Sequence, residues 1–189
     1  TKNFINQIPN GVLQLTQAGT FPVWIYQQID AKMYGLDVDI NLNITDNLSY
    51  KGRGAYVYGQ DETNNEPLIL MMPVNFSNAL QFKNQKWHGF YFNIENQTFL
   101  YQNRFPIHNL EYTDYIDGEE VKKTVDISTP PRQYSLWNIR TGINLAKNFS
   151  AGLTVNNVFD ISYRDYLNRM RFFANDLARN FILNFRYKF

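Results

Sequence analysis

The chain contains no cysteine. That removes disulfide frameworks, thiolate zinc sites and thiol nucleophiles together. Neither charge is in excess: 18 Lys and Arg face 17 Asp and Glu, a formal charge of +1. A nucleic-acid partner, whose affinity comes from neutralising phosphates, is therefore not expected. Histidine is scarce, and His88 and His108 stand without ligand-like spacing, so no metal site is expected. Asp37-Val-Asp-Ile-Asn41 offers the first three ligand positions of a calcium loop, but Leu42 stands where the sharp turn needs Gly. Gly52-Arg-Gly54 is too short to cradle a phosphate, and neither a nucleophile elbow nor a zinc-helix motif occurs. No catalytic residue and no cofactor is assigned, and the expectation is a protein that is not an enzyme. The longest apolar run, Pro67–Val74, is far short of the ~18 residues of a membrane helix, and the mean hydropathy is −0.43. Membrane strands are not excluded, because they alternate lipid-facing and lumen-facing residues. No initiator Met or signal peptide opens the chain, and Thr1 reads as a processed terminus or the edge of a fragment.

Aromatic residues are abundant: 15 Phe, 13 Tyr and 3 Trp, 16% of the chain, beside about two dozen Asn. This mixture favours strands and loops. From Tyr34 to Ile44 the apolar residues Leu36, Val38, Ile40 and Leu42 alternate with Asp37, Asp39, Asn41 and Asn43, the pattern of a strand with one apolar and one wet face. After the turn Thr45-Asp46-Asn47 the alternation resumes through Leu48, Tyr50, Gly52, Gly54, Tyr56 and Tyr58. Pairing Ile44 with Leu48 keeps the apolar positions on one face and sets Asp39 opposite Arg53 and Asn41 opposite Lys51.

Two further hairpins follow the same rule. Asn75–Lys83 and Trp87–Gln102 flank a polar turn at Asn84-Gln85, with Leu80 expected opposite Phe90. Tyr134–Ala146 and Ala151–Ile161 flank Lys147-Asn148-Phe149, with Ile143 expected opposite Leu153 and Thr141 opposite Val155. A last strand, Arg179–Phe189, alternates Phe181, Leu183, Phe185, Tyr187 and Phe189 with polar neighbours. The connections alternate in size: tight at 45–47, 84–86 and 147–149, long and polar at about 61–73, 104–132 and 162–175. All short turns then fall at one end of the sheet, the arrangement of outer-membrane barrels with short periplasmic turns and long extracellular loops. A strand of about 12 residues at ~3.3 Å, tilted about 45°, rises roughly 28 Å, close to the ~25 Å apolar band of such barrels. A soluble antiparallel sandwich, such as a carbohydrate-binding module, also alternates. It has no need of aromatics near strand ends, where Tyr26, Tyr58, Trp87, Trp137 and Tyr187 fall as in a membrane-interface girdle.

Three segments carry a family resemblance. FPVWIYQQIDAKMYGLDVDI (21–40) has Ala31, Gly35 and Asp37 in the spacing of a loop that descends into a strand. Glu66–Pro73 is similar to a "PL…PP" strand entry, with Met72-Pro73 in place of Pro-Pro. The closing segment 155–189 places Asn157, Phe159, Tyr163, Arg179 and Phe189 in an "NLF…Y…G…F" pattern, with Ala178 and Asn184 where Gly is usual. From about residue 20 onward the chain thus resembles the carboxy-terminal barrel portion of TonB-dependent outer-membrane receptors of the Bacteroidetes type. The resemblance implies an all-β, antiparallel transmembrane β-barrel segment over 1–189, about the last seven to eight strands of a 22-stranded barrel. The plug domain and earlier strands would lie outside it.

The implied function is part of an outer-membrane active transporter of a Gram-negative bacterium. Its ligand would be scarce: a metal chelate or siderophore, haem, a vitamin or a glycan. The implied partners are outer-membrane lipid and lipopolysaccharide, the protein's own plug and remaining barrel, a TonB-type energy transducer, and the barrel-assembly machinery, which would read Tyr187 and Phe189. Asp37, Asp39, Lys51, Arg53, Asn93, Glu95 and Arg140 are expected to face the lumen as plug contacts. In the loops, Trp24, Tyr26, Tyr112 and Tyr115 are candidates to grip a planar or sugar-like ligand. Arg164, Arg169 and Arg171 are candidates for an anionic ligand or lipopolysaccharide phosphates. A complete barrel of about eight strands with a structural or adhesive role is the other reading.

Overall fold

Alternating aromatic and β-branched residues with few helix formers dictate strands, and the computed structural model of the chain, which describes residues 1–17 and 19–189, is all-β. Its strands are β1 (Phe4–Thr16), β2 (Gly19–Ile29), β3 (Ala31–Asn43), β4 (Leu48–Asp61), β5 (Glu66–Pro67), β6 (Asn75–Asn84), β7 (Phe90–Phe99), β8 (Leu110–Ile116), β9 (Glu119–Val125), β10 (Tyr134–Ala146), β11 (Phe149–Asn156) and β12 (Asn180–Tyr187). One turn of 3-10 helix spans Arg169–Phe172. The chain divides into two compact units. One comprises Thr1–Tyr34, Val57–Met72 and Gln102–Pro130; the other comprises Gly35–Tyr56, Pro73–Tyr101 and Pro131–Phe189.

The main sheet, in the order β12-β11-β10-β7-β6-β4-β3, lies in the second unit except for the start of β3 and the end of β4; β5 pairs that end of β4 within the first unit. Because strand side chains alternate, its ladders sort the chain onto two faces. Leu80 faces Ile94, Phe82 faces Phe92, and Leu153 faces Leu183 on one. Gln81 faces Asn93, Asn93 faces Arg140, and Ser150 faces Arg186 on the other. Tyr91 faces Gly142, which faces Gly152. A side chain at Gly142 would put its Cβ 2.6–2.9 Å from the Tyr91 ring, so the missing side chain makes room for a ring lying flat on the polar face.

The apolar face is uncovered. Leu36, Phe181, Leu183 and Phe185 are each about two-thirds exposed. Among the described residues the fully buried hydrophobics are few: Ile29, Ala31, Leu68, Leu110, Ile127 and Tyr166. In a sandwich this face would be the core.

Two hairpins depart from their expected register. Leu80 pairs with Ile94, not Phe90, because the turn takes five residues, Gln85–Gly89, with His88 and Gly89 at φ 53° and 66°. Trp87 is therefore a turn residue, its ring 5.8 Å from Phe82 and 6.4 Å from Phe90. In β10–β11, Thr141 pairs with Leu153 and Ile143 with Ala151, since the turn is the two residues Lys147-Asn148 and a bulge falls between Asn144 and Ala146. β11 stops at Asn156 rather than Ile161, because Asn157 turns the chain at φ 50°. The first hairpin holds: Ile44 N–H donates to Leu48 O at 2.9 Å.

The first unit has two hairpins of its own. β1 pairs β2 with an irregularity between Pro9 and Leu13. β8 pairs β9 around Asp117-Gly118, at φ 53° and 87°, a primed turn whose residues favour that backbone. Its small core joins Ile29, Ala31 and Leu68 with Phe4 and Met71. Asp61, fully buried at the end of β4, accepts the Thr63 and Asn64 N–H groups at 2.8 and 2.9 Å and the Asn64 side-chain amide at 2.8 Å.

Candidate functional site

Asp37, Asp39, Lys51, Arg53, Asn93, Glu95 and Arg140 share the polar face of the main sheet. Arg53 Nε donates to Asp39 Oδ2 at 2.8 Å, in the cross-strand position that the pairing of Ile44 with Leu48 requires. Asn41 donates to the same carboxylate. Ser77 Oγ donates to Glu95 Oε1 at 3.1 Å, and Arg140 Nη2 lies 3.6 Å from Glu95 Oε2. Lys51 faces Ala79, which faces Glu95; Asn93 faces Arg140. Between these groups the face dips into a depression of about 410 Å³, bounded by Asp37, Asp39, Arg53, Glu95, Gln97 and Phe99. The arrangement is a ladder of charges and amides that can pair with polar groups placed against it.

The aromatic candidates fall on two strands, β2 and β8. Trp24 and Tyr26, expected in a loop, lie inside β2, opposite Pro9 and Gln7. The sequence signal was weak there, because Pro9 and Pro22 each remove a ladder donor. Tyr112 and Tyr115 lie on β8 three positions apart and so point to opposite faces of its hairpin. Tyr115 donates to Glu120 at 2.9 Å.

The arginine candidates also divide. Arg164 and Arg169 are exposed, and Arg164 Nε donates to Asn175 Oδ1 at 2.8 Å. Arg171 is 5% exposed, donates to the Tyr166 carbonyl, and lies over the Tyr166 and Phe172 rings. Its guanidinium is held within its own loop by these contacts. Tyr187 and Phe189 lie on the apolar side at the end of the chain, their rings 5.1 Å apart.

Sequence reasoning missed a cluster in the first unit. The guanidinium of Arg104 sits 3.7 Å above the Tyr58 ring, and Tyr58 stacks on Tyr34 at 4.5 Å. Arg104 also donates to Gln60 at 2.6 Å, Gln102 donates to the Met71 carbonyl at 2.7 Å, and His108 Nε2 lies 3.1 Å from Glu66. These bonds strap the segment 102–108 onto 58–71. The tyrosine pair was legible, since the register that sets Asp39 against Arg53 also sets Tyr34 against Tyr58; the distant Arg104 had no signal.

The last long connection is built from the Asn157 side chain, which bonds both the N–H and the C=O of Ile161 at 3.0 and 2.9 Å. Within it Asp165 and Asp176 flank Tyr163, whose phenol is held above its ordinary value of 10.0 by burial first and then by the Asp176 and Asp165 carboxylates. Among the described residues no group of three or more His, Cys, Asp or Glu could hold a metal ion.

The fold is that of outer-membrane receptors of known structure. No protein-family model and no curated protein matches the chain. A solved structure titled "Copper transporter OprC" matches with TM-score 0.74 at 15% identity, over 100% of this chain and 27% of that one. The ferripyoverdine receptor of the outer membrane of Pseudomonas aeruginosa, bound to ferripyoverdine, matches with TM-score 0.59 at 16% identity, over 86% of this chain and 20% of that one. FpvA of the same organism with heterologous pyoverdines gives 0.59 at 15% identity, over 98% and 23%. The chain spans at most 27% of the length of these proteins.

Proposed function

We propose that the chain is the carboxy-terminal wall of a TonB-dependent outer-membrane transporter, of the Bacteroidetes type, about the last seven to eight strands of a 22-stranded barrel. The observation that carries this reading is the main sheet's uncovered apolar face, backed by a face of ion pairs and amides. Water would not leave such a face exposed, whereas lipid covers it at no cost. The cargo in this reading is a scarce ligand of the kind such receptors take up: a metal chelate or siderophore complex, haem, a vitamin or a glycan. In this reading Asp39, Arg53, Glu95 and Arg140, with Asp37, Lys51 and Asn93, contact a plug that an energy transducer shifts. Tyr187 and Phe189 serve the barrel-assembly machinery. The chain supplies wall and loops and catalyses nothing.

The test is peptide mapping and intact mass of the natural protein from detergent-extracted outer membrane. The expected product ends in Phe189, is several times larger than 22.3 kDa, and carries a plug upstream. A membrane product near 22.3 kDa would replace this reading with a small self-closed barrel of structural or adhesive role. Recovery without detergent would overturn both.

A further inference from the structure

The main sheet ends, at its short turns, in a concavity that the transport reading does not use. It has a volume of about 580 Å³ and is lined by His88, Asn144, Lys147, Asn148, Arg186 and Lys188, among others. That size lies within the about 300–1,000 Å³ of small-molecule sites. Its walls come from three separate segments: the Gln85–Gly89 turn, the Lys147-Asn148 turn and β12. Backbone bonds fix them to one another, Asn144 N–H to the His88 carbonyl at 2.9 Å and Lys188 N–H to the Asn148 carbonyl at 2.9 Å. A second depression of about 480 Å³ shares Asn144, Ser150 and Arg186 with it and continues along the polar face over Gly152.

The chemistry of the lining is one-sided. Lys147, Arg186 and Lys188 supply three cations, the Asn side chains supply amide donors, and no Asp or Glu lines the concavity. Among the described residues none of the three cations is ion-paired to a carboxylate. The asymmetry extends along the rim, where Lys83 and Lys86 add to the three and Asp46 is the acidic side chain of the short turns. The long connections taken together carry more acidic than basic side chains. A row of solvated lysines would account for a flat rim. It does not account for a preformed hollow into which cations and donors from different segments converge, the arrangement that binds an oxyanion.

We propose that this concavity is a binding site for a small multivalent oxyanion, a ligand bearing two or more carboxylate or phosphate groups. Arg186 takes one group through two N–H donors, and Lys147 and Lys188 neutralise the others as point charges. The site needs only the sheet and its turns, so it stands whether or not the chain belongs to a transporter.

The test is calorimetric titration of the full-length protein, in neutral detergent at low ionic strength, with inorganic pyrophosphate and with citrate. Both are expected to bind, with affinity falling as salt is added. Arg186→Gln and Lys147→Gln are each expected to weaken binding about tenfold, the order of one charged hydrogen bond. Lys86→Gln, on the rim outside the hollow, is expected to leave it unchanged. Lys147 lies in an exposed turn, so its variant folds even where a change in β12 disturbs assembly. Absence of binding, or equal affinity in the parent, Arg186→Gln and Lys147→Gln proteins, would overturn the proposal.

Discussion

Replacing Asn157 tests how the last long connection is anchored. The residue is 3% exposed and sits at φ 50°. Its side chain satisfies both backbone groups of Ile161, at 3.0 and 2.9 Å, while its own N–H donates to Asn138 at 3.0 Å. Asn157→Ala removes two hydrogen bonds worth about 0.5–1.5 kcal/mol each and leaves partly buried groups unpaired. It also puts Ala in a left-handed conformation, which costs about 1 kcal/mol more than Asn. The sum is about 2–4 kcal/mol. Asn157→Gly loses the same bonds but takes that backbone freely, so it should be milder by about 1 kcal/mol. Asp keeps the acceptor for Ile161 N–H and should be the mildest of the three. Hydrogen exchange of residues 157–165 in the full-length protein reads local opening directly: protection should fall by ~30-fold to ~1,000-fold in the Ala variant. If Gly is as damaging as Ala, the backbone conformation is not what Asn157 supplies. If neither changes exchange, the Ile161 bonds hold nothing.

Other consequences can be checked alongside. Gly142→Ala should drive the Tyr91 ring off the sheet and cost about 1–3 kcal/mol by overpacking. In a Tyr91→Ala background the same change should cost little, and additive losses in urea unfolding would refute the ring-on-glycine account. Arg171→Ala should destabilise the 157–179 connection by about 2–4 kcal/mol, from a charged hydrogen bond and two ring contacts. Arg164→Ala, on an exposed side chain, should stay within about 0.5 kcal/mol; equal protease sensitivity of the two variants would remove the distinction. Because Tyr163 has its pKa raised in the fold above 10.0, the stability tied to its neutral phenol is complete below that pH and lost as pH climbs through the folded value. In ultraviolet titration the amplitude of the late tyrosinate signal should fall in Tyr163→Phe, and an unchanged curve would refute the burial.

What the sequence showed and what it hid divide along a physical line. Strands with one wet and one apolar face announce themselves by period two, so β3, β4, β6, β7, β10, β11 and β12 were all expected near their observed positions. The β1–β2 hairpin was not, because Pro9 and Pro22 and the irregularity between Pro9 and Leu13 break the period. The β8–β9 hairpin carried a turn signal in Asp117-Gly118, but its short strands lie within a connection rich in charge on both faces. The burial of Arg171 was hidden for a related reason. A guanidinium in a polar loop reads as exposed, and nothing local shows that Tyr166 and Phe172 enclose it.

The register errors did no harm to the assignment of faces, and the reason bears on what such sequences can reveal. Moving Leu80 from Phe90 to Ile94 shifts the pairing by four residues, and moving Thr141 from Val155 to Leu153 shifts it by two. Both shifts are even, so every side chain keeps its face. A turn misjudged by one residue, without a compensating bulge, would have moved Asn93 and Arg140 to the apolar face. The β10–β11 turn is in fact one residue shorter than expected, and the bulge between Asn144 and Ala146 restores the parity. Parity, not register, decides the face on which each side chain falls. Which residues share the polar face, such as Asp39, Arg53, Glu95 and Arg140, is legible from one sequence, while the neighbour each one touches is decided by turn geometry that only the structure supplies.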